Sequence, residues 1–314
     1  MSSQINPEVY KAAHEEAVLV DRSNLGLLKF TGATRLDLIN RMSTQAVSSL
    51  KSGEGVATIL TTDIGRIIDR LILYASSDAV YALTGEDNGN NIARYLMRFV
   101  FFNDDFHIEE LSEQTAIFAV YGPQAKAKLI GAGFPDVDLP LHHWRQCEVA
   151  GVTAYLHRTD PVAGDGYFVM CGTADKEKLG HHLLGADLIL ADEAAFEFLR
   201  IESGLPRFGR EMTQDYIPLE ANLWEDVSFS KGCYVGQEII ARMESRGRLA
   251  KKLVQLQAVT PVEVGATLRS DGKTAGTVTS AAVGPDGPVA LGYVKSSMLG
   301  KQLMVGETAV NICN

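Results

Sequence analysis

The residues best suited to chemistry lie in one short segment of the chain, residues 231–238, which reads KGCYVGQE. The segment places a single thiol, Cys233, between Gly232 and Gly236 and two residues after Lys231. Apolar residues beyond Gly236 recur at the spacing of a short helix. A thiol just before a helix and beside a cation should have a lowered pKa and a larger thiolate fraction. Cys233 is therefore a candidate nucleophile or metal ligand.

A structural role is the alternative interpretation of the same segment. Free cysteines often serve as small buried apolar side chains, and glycines permit tight turns because they adopt backbone angles that other residues avoid. The chemistry of the residues alone favours neither interpretation. The helix predicted to follow begins with Gln237 and Glu238 and carries Arg242 further along. We include these three side chains in the candidate motif together with Lys231.

A second candidate, Asp69, lies in an apolar strand, residues 67–73, which reads IIDRLIL. Both faces of this strand are apolar, which predicts that the strand is buried. A buried carboxylate requires partners because an unpaired buried charge is costly. Asp69 is therefore either part of a structural ion pair with a neighbouring strand or a carboxylate that binds a polar group of a ligand.

Arg200 and Glu202 lie near the end of a predicted helix, residues 193–203. Residues two apart on a helix point in different directions, but both side chains can reach one site if the helix end faces it. An arginine binds a carboxylate with two parallel hydrogen bonds, so Arg200 suits an anionic ligand. The alternative is an ion pair on the helix surface.

Alternating strands and helices are predicted to position these residues. Beyond residue 253 the chain is rich in Val and Gly, with turns at 270–273 and 284–287, and short strands at that spacing are typical of a small antiparallel barrel. Earlier in the chain, the spacing of apolar residues predicts strands at 25–31, 56–60, 66–74, 80–83, 116–121, 147–156 and 167–171, a helix that opens at 31–34, and helices at 91–102, 175–184 and 193–203.

Composition and charge argue against several classes of function. The chain has 314 residues, of which 46% are hydrophobic and 22% charged, with a net charge of −10 and a pI near 5.2. This acidic balance argues against binding to nucleic acid or to an anionic membrane. No apolar stretch reaches the roughly 20 residues of a transmembrane helix. The N-terminus lacks the basic start and apolar core of a signal peptide, so we expect a cytoplasmic protein.

Four cysteines occur in the sequence: Cys147, Cys171, Cys233 and Cys313. None belongs to a Cys-x-x-Cys pair, and no Cys/His spacing resembles a zinc site, so we expect no bound metal. Widely spaced thiols fit a reducing compartment. Iron–sulfur clusters usually need about four ligands, so Cys233 alone would not hold a cluster stably.

Several segments together resemble the YgfZ family of folate-binding proteins, which support iron–sulfur enzymes. The likeness begins with FLRIESGLP at 198–206, continues with PLEANL at 218–223 and VSFS at 227–230, and runs into the cysteine segment. A weaker likeness to the glycine-cleavage T-protein, an aminomethyltransferase, covers nearly the whole chain. The resemblance therefore points to the T-protein superfamily.

The resemblance implies an α+β, T-protein-like folate-binding fold made of two mixed α/β units and a C-terminal antiparallel β-barrel. We expect the first unit at residues 1–145, the second unit with the cysteine loop at 146–250, and the barrel at 251–314. Tetrahydrofolate or a one-carbon-substituted folate would lie between the two α/β units.

The resemblance also implies roles for particular residues. Asp69, Tyr167, Arg200 and Glu202 are expected to contact the folate, and Cys233 is expected to act at the rim of the site as a reactive thiol. The implied function is that of a tetrahydrofolate-binding accessory protein in the assembly or maintenance of iron–sulfur enzymes. Its expected partners are a reduced folate and iron–sulfur assembly proteins or their client enzymes.

A folate-dependent aminomethyltransferase, or a related methyltransferase, is the alternative function. T-proteins carry a second carboxylate where this chain has Arg70, and a folate-binding glutamate where it has Gly164. Both departures favour an accessory protein over an enzyme. A folate-storage or folate-sensing module is a third interpretation, which the sequence does not separate from the first.

Overall fold

The structure, a computed structural model, describes residues 3–313 apart from the side chains of Ser3 and Arg246. This part of the chain contains seven α-helices and eighteen strands. The helices are α1 Pro7–Glu15, α2 Arg35–Met42, α3 Gly89–Met97, α4 Ala125–Gly131, α5 Lys176–Leu184, α6 Glu193–Glu202 and α7 Gln237–Arg246. The strands are β1 Ser3–Gln4, β2 Val18–Asp21, β3 Leu25–Thr31, β4 Gly55–Thr61, β5 Ile67–Ala75, β6 Val80–Glu86, β7 His107–Glu110, β8 Thr115–Gly122, β9 Trp144–Val149, β10 Val152–Arg158, β11 Asp165–Gly172, β12 Ile189–Ala191, β13 Lys251–Ala258, β14 Thr267–Ser270, β15 Lys273–Gly284, β16 Gly287–Lys295, β17 Leu303–Val305 and β18 Thr308–Ile312.

The C-terminal strands close into an antiparallel barrel. Their order is β15-β14-β17-β18-β13-β16, and a further pairing of β15 with β16 closes the ring. The predicted turns at 270–273 and 284–287 are the connections between β14 and β15 and between β15 and β16. The short N-terminal strand β1 adds to β15 in parallel. The predicted α+β class with a C-terminal antiparallel barrel is confirmed.

The rest of the chain forms two further sheets. The first sheet has the order β4-β5-β6-β3-β7, and the second has the order β12-β2-β8-β11-β10-β9. The strands β2 and β8 precede residue 145 yet belong to the second sheet, so the chain crosses between the sheets before that position. The boundaries at 145 and 250 stay a proposal for how the chain divides. None of the helices within residues 3–313 is long and apolar enough to cross a membrane.

Alternate residues of the central strands enter different cores, because successive side chains of a strand point to opposite faces. On β5, Ile72 and Tyr74 join the central core between the two sheets, whereas Leu71 and Leu73 pack with side chains of α2 and α3. This double burial explains why β5 is apolar on both faces. It also carries Asp69 into the interior, where it is 0% exposed.

Two predicted elements differ from the structure. The single strand predicted at 147–156 is a hairpin of β9 and β10, because Ala150 and Gly151 adopt positive φ angles of 51° and 69° and turn the chain back. The helix predicted at 91–102 starts at Gly89 and ends at Met97. Beyond it the chain turns, and the Asp104 carboxylate accepts a hydrogen bond from a backbone amide in that turn at 2.9 Å.

Candidate functional site

A cavity of about 100 Å³, here the central cavity, lies between the two sheets and the loop after α6. Its walls combine apolar side chains of the central core with charged side chains from separate parts of the chain. The charged residues are Arg22, Asp69, Arg70, Glu86, Asp160, Arg200 and Arg207. Such a concentration of charge inside a protein is costly unless each group is paired, so the partners of each group decide what the cavity can bind.

Asp69 is the most deeply buried carboxylate of the central cavity. Its Oδ1 accepts a hydrogen bond from the Arg70 backbone amide at 2.8 Å, and its Oδ2 accepts from the Gly85 amide at 2.9 Å and from Asn88 Nδ2 at 2.8 Å. Burial raises the pKa of Asp69 to about 6, against these hydrogen bonds, which lower it. A carboxylate offers about four acceptor positions, so roughly one remains for a donor from a ligand.

Arg70 holds three segments together at one side of the cavity. Its Nη1 donates to Asp160 at 2.7 Å and its Nε donates to Asp226 at 2.6 Å. Although burial opposes the charges, these ion pairs raise the pKa of Arg70 and lower the pKa of Asp160. The Arg70 guanidinium is therefore fixed between two aspartates. Sequence reasoning identified Arg70 but neither of its partners, which lie far away in the chain.

Arg22 has the freest guanidinium among the charged groups of the cavity. Its Nη2 donates to Glu86 at 2.6 Å, and its guanidinium lies 4.0 Å from the centre of the Phe196 ring. Neither Nε nor Nη1 of Arg22 has a hydrogen-bond partner among the described residues, although Glu193 lies 4.0 Å from Nη1. Arg207 also binds Glu86, at 2.9 Å. Sequence reasoning missed these residues. Only Arg22 had a local signal in the sequence, its position directly after the apolar strand β2.

Arg200, predicted to contact a ligand, is 0% exposed and surrounded by protein acceptors. Its Nη1 donates to Glu211 at 3.0 Å, its Nε to Glu197 at 2.8 Å and its Nη2 to Ser280 at 2.6 Å. These bonds tie α6 to strand β15 of the barrel. A ligand carboxylate would have to displace one of them, so the geometry favours Arg200 as a residue that positions α6. Its contact with a ligand stays a prediction.

The structure does not bring Glu202 or Tyr167 to the central cavity. Glu202 lies on the side of α6 that faces α1, where its carboxylate is 2.7 Å from His14 Nε2. Tyr167 is buried on the outer face of the second sheet, under α4 and α5. The next residue, Phe168, points inward and lines the cavity instead. The sequence pattern identified the strand β11 but not which of its faces meets the cavity.

The cysteine segment packs against the first sheet, and Lys231 is one of the residues that anchor it there. The Lys231 ammonium donates to the backbone carbonyls of Asn40, Ser43 and Gln45 at 2.7, 2.8 and 2.7 Å. Burial lowers the pKa of Lys231 to about 8. The ammonium is thus committed to the chain around the end of α2. An effect of Lys231 on the Cys233 thiol stays a prediction.

Cys233 itself is exposed, and no residue between 213 and 246 is part of the wall of the central cavity. The link between the two is Asp226, whose carboxylate pairs with Arg70 and whose carbonyl accepts from Thr44 Oγ1 at 2.6 Å. Cys147 and Cys171 are buried, as expected, whereas Cys313 is exposed. Cys233 therefore lies outside the cavity, on a loop anchored next to it.

Gln237, Glu238 and Arg242 lie on α7, which follows the cysteine loop. Gln237 is the first residue of the helix and is half-buried, whereas Glu238 and Arg242 are exposed. Lys251, the first residue of β13, packs over the Tyr216 ring at 4.2 Å. These side chains lie on the surface side of the loop rather than in the central cavity.

Gly236 joins the cysteine loop to α7 in a conformation that requires glycine. Its φ of 83° is in the left-handed region. A Cβ at this position would lie 2.5 Å from the Thr62 carbonyl oxygen and 2.9 Å from Gly65 Cα. Those atoms belong to the turn that leads into β5. Gly232, by contrast, has no positive φ, and a Cβ added there would meet no atom of the described residues within 4 Å.

Gly236→Ala is expected to destabilise the protein by about 2 kcal/mol or more, because it adds backbone strain to a steric clash. Gly232→Ala is the matched control, and we expect it to change stability by less than about 0.5 kcal/mol. Urea unfolding followed by circular dichroism measures both. Equal stabilities of the two variants would contradict the packing of the loop described above.

Known proteins resemble this chain over most of its length. A family model described as the GCVT N-terminal domain matches residues 1–231. A chloroplastic protein of Arabidopsis thaliana with a provisional transferase name is 28% identical over 305 residues, covering 96% of this chain and 71% of that protein. The aminomethyltransferase of Halalkalibacterium halodurans is 30% identical over 261 residues, covering 80% of this chain and 70% of that protein.

The fold also matches a solved structure. The crystal structure of the glycine cleavage system aminomethyltransferase T from Bartonella henselae superposes with a TM-score of 0.87 at 24% identity. The superposition covers 98% of this chain and 88% of that one. The expected T-protein-like fold is therefore confirmed.

Proposed function

This chain belongs to the GCVT N-terminal domain family, and we propose that it binds a reduced folate in the central cavity. The observation that carries the proposal is Asp69, a fully buried carboxylate in the cavity wall with one acceptor position left. The pterin ring of a folate presents amino and ring N–H donors, which suit such a group. Small-molecule sites typically measure about 300–1,000 Å³, so the cavity of about 100 Å³ takes only the ring system.

The anionic tail of the folate then leaves the cavity past Arg22. Two guanidinium nitrogens of Arg22, Nε and Nη1, have no hydrogen-bond partner among the described residues and support this path, because each can donate a charge-assisted hydrogen bond to a carboxylate of the tail. Arg200 is the weaker candidate for the tail, since its donors already meet Glu197, Glu211 and Ser280. In this proposal Arg200 holds α6 in place, and Arg22 contacts the ligand.

The second part of the proposal is an accessory role in the assembly or maintenance of iron–sulfur enzymes, of the YgfZ type. The resemblance of the segments around Cys233 supports it, and so does the exposure of that thiol on an anchored loop. The Cys233 thiolate would react with a partner protein at the surface while the folate occupies the cavity. The partners in this proposal are iron–sulfur assembly proteins or their client enzymes.

Aminomethyl transfer is the alternative function. The names of the relatives of this chain favour it, since one of them is an aminomethyltransferase. Two positions in this chain argue against it. Arg70, in place of a carboxylate, is bound to Asp160 and Asp226. Gly164, in place of the folate-binding glutamate, has a φ of 145°, and a Cβ there would lie 2.5 Å from the carbonyl carbon of Gly122. A glutamate does not fit at this position without movement of the backbone.

The purified protein is expected to give no turnover in a reconstituted glycine-cleavage assay with an aminomethylated, lipoylated carrier protein and tetrahydrofolate. The physical reason is the loss of both carboxylates from the positions discussed above. The assay measures ammonia and methylenetetrahydrofolate, with an authentic T-protein as the positive control. Sustained release of both products would make the aminomethyltransferase the better assignment.

A further inference from the structure

A second cavity, here the aromatic cavity, lies between the same two sheets and holds about 270 Å³. Along β5 and β11 it is displaced from the central cavity by one inward-facing residue. Ile72 and Phe168 line the central cavity, whereas Tyr74 and Met170 line the aromatic cavity. Exposed Gln114 is part of its wall, which provides a route from the surface. None of the residues discussed for folate recognition takes part in it.

Aromatic rings form much of the wall. Trp144 stacks on His157 with ring centres 5.8 Å apart and an angle of 14°, and His157 meets Tyr74 edge-on at 4.1 Å. Tyr155 and Tyr81 lie 6.0 and 6.3 Å from the Trp144 ring. The Trp144 indole is fixed, because its Nε1 donates to a backbone carbonyl at 2.9 Å. Rigid aromatic walls of this kind suit a flat ring that stacks between them.

Polar atoms in this wall have no partner. Both ring nitrogens of His157 are buried without a hydrogen bond among the described residues, and this residue is 4% exposed. Burial lowers the pKa of His157 to about 3, so the ring is neutral and offers one donor and one acceptor. Buried polar groups normally have partners, so these atoms call for a hydrogen-bonding group from outside the chain.

The cavity also selects against charge. None of its twelve lining residues, all within the described part of the chain, has an acidic side chain, an arginine or a lysine. An ionic ligand would therefore lose its hydration without gaining a counter-charge. We propose that the aromatic cavity is a second ligand site, separate from the central cavity, for an uncharged planar heteroaromatic compound with a donor and an acceptor on its edge.

Equilibrium dialysis of the 314-residue chain with indazole tests this proposal. Indazole is a flat bicyclic ring with one N–H donor and one nitrogen acceptor. We expect saturable binding to one site below about 1 mM. Indane, a hydrocarbon of the same outline, and indazole-3-carboxylate, which is charged, should each bind at least about fivefold more weakly. Absence of saturable indazole binding, or equal binding of indane, would overturn the proposal.

Variants locate the binding. His157→Phe removes two ring nitrogens that have no partner among the described residues, so the protein should fold, and it should bind indazole about fivefold more weakly. Tyr95→Phe, on α3 and outside the cavity, should bind as the wild type does. Unchanged indazole binding in His157→Phe would contradict the assignment. Displacement of indazole by tetrahydrofolate would show one shared site and would also overturn it.

Discussion

Arg200→Ala is expected to lower the free energy of unfolding by about 3–5 kcal/mol, the usual cost of breaking a buried ion pair by removing one partner. The variant would leave Glu211, which is 0% exposed, without its cation. It would also leave Ser280 without the donor that connects α6 to the barrel. Because domains are typically stable by only about 5–15 kcal/mol, the variant would lose a large part of its stability.

Urea unfolding of the wild type and of Arg200→Ala measures this loss. Arg242→Ala is the control, because Arg242 is an exposed arginine on α7 and its removal should change stability by less than about 0.5 kcal/mol. A loss of less than about 1 kcal/mol in Arg200→Ala, by the same scale, would mean that the guanidinium is not needed to pair Glu211. Arg200 would then return as a candidate for direct contact with the ligand.

Cys233→Ala is expected to abolish the cellular function while leaving the fold intact. The Cys233 side chain is exposed on an anchored loop, so its removal should change stability by less than about 0.5 kcal/mol. In cells that lack their own family member, the wild-type protein should restore the activity of iron–sulfur enzymes, and Cys233→Ala should leave them at the level of the deletion strain.

Cys313→Ala is the matched control for this experiment, because Cys313 is the other exposed thiol among the described residues. It should restore iron–sulfur enzyme activity as the wild type does. Full rescue by Cys233→Ala would remove the thiol from the proposed mechanism. The role of the loop would then lie in its anchoring residues, Lys231 and Gly236.

Local patterns in the sequence predicted the elements and the buried carboxylate but not the charge network around it. Asp69 could be identified because its whole strand is apolar on both faces. Its neighbours in the central cavity could not, since Arg22, Glu86 and Asp160 come from separate segments and no local spacing relates them. Long-range packing decides such groupings, and a single sequence carries no direct record of it.

Lys231 shows the same limit within the cysteine segment. From the sequence, its place two residues before Cys233 indicates a cation next to a thiol. In the structure its ammonium meets carbonyl groups more than 180 positions earlier in the chain. These carbonyls lie in and just after the last turn of α2, where the helix leaves carbonyl groups without helical backbone partners.

The direct test of the central claim is calorimetric titration of the protein with tetrahydrofolate. We expect a dissociation constant in the micromolar range, which corresponds to about −8 kcal/mol. Asp69→Asn should weaken binding by about 1.5–3 kcal/mol, the value of a hydrogen bond to a charged group. Tyr167→Phe should bind normally, because Tyr167 lies on the outer face of the second sheet. Absence of both binding heat and thermal stabilisation at about 1 mM tetrahydrofolate would contradict the account.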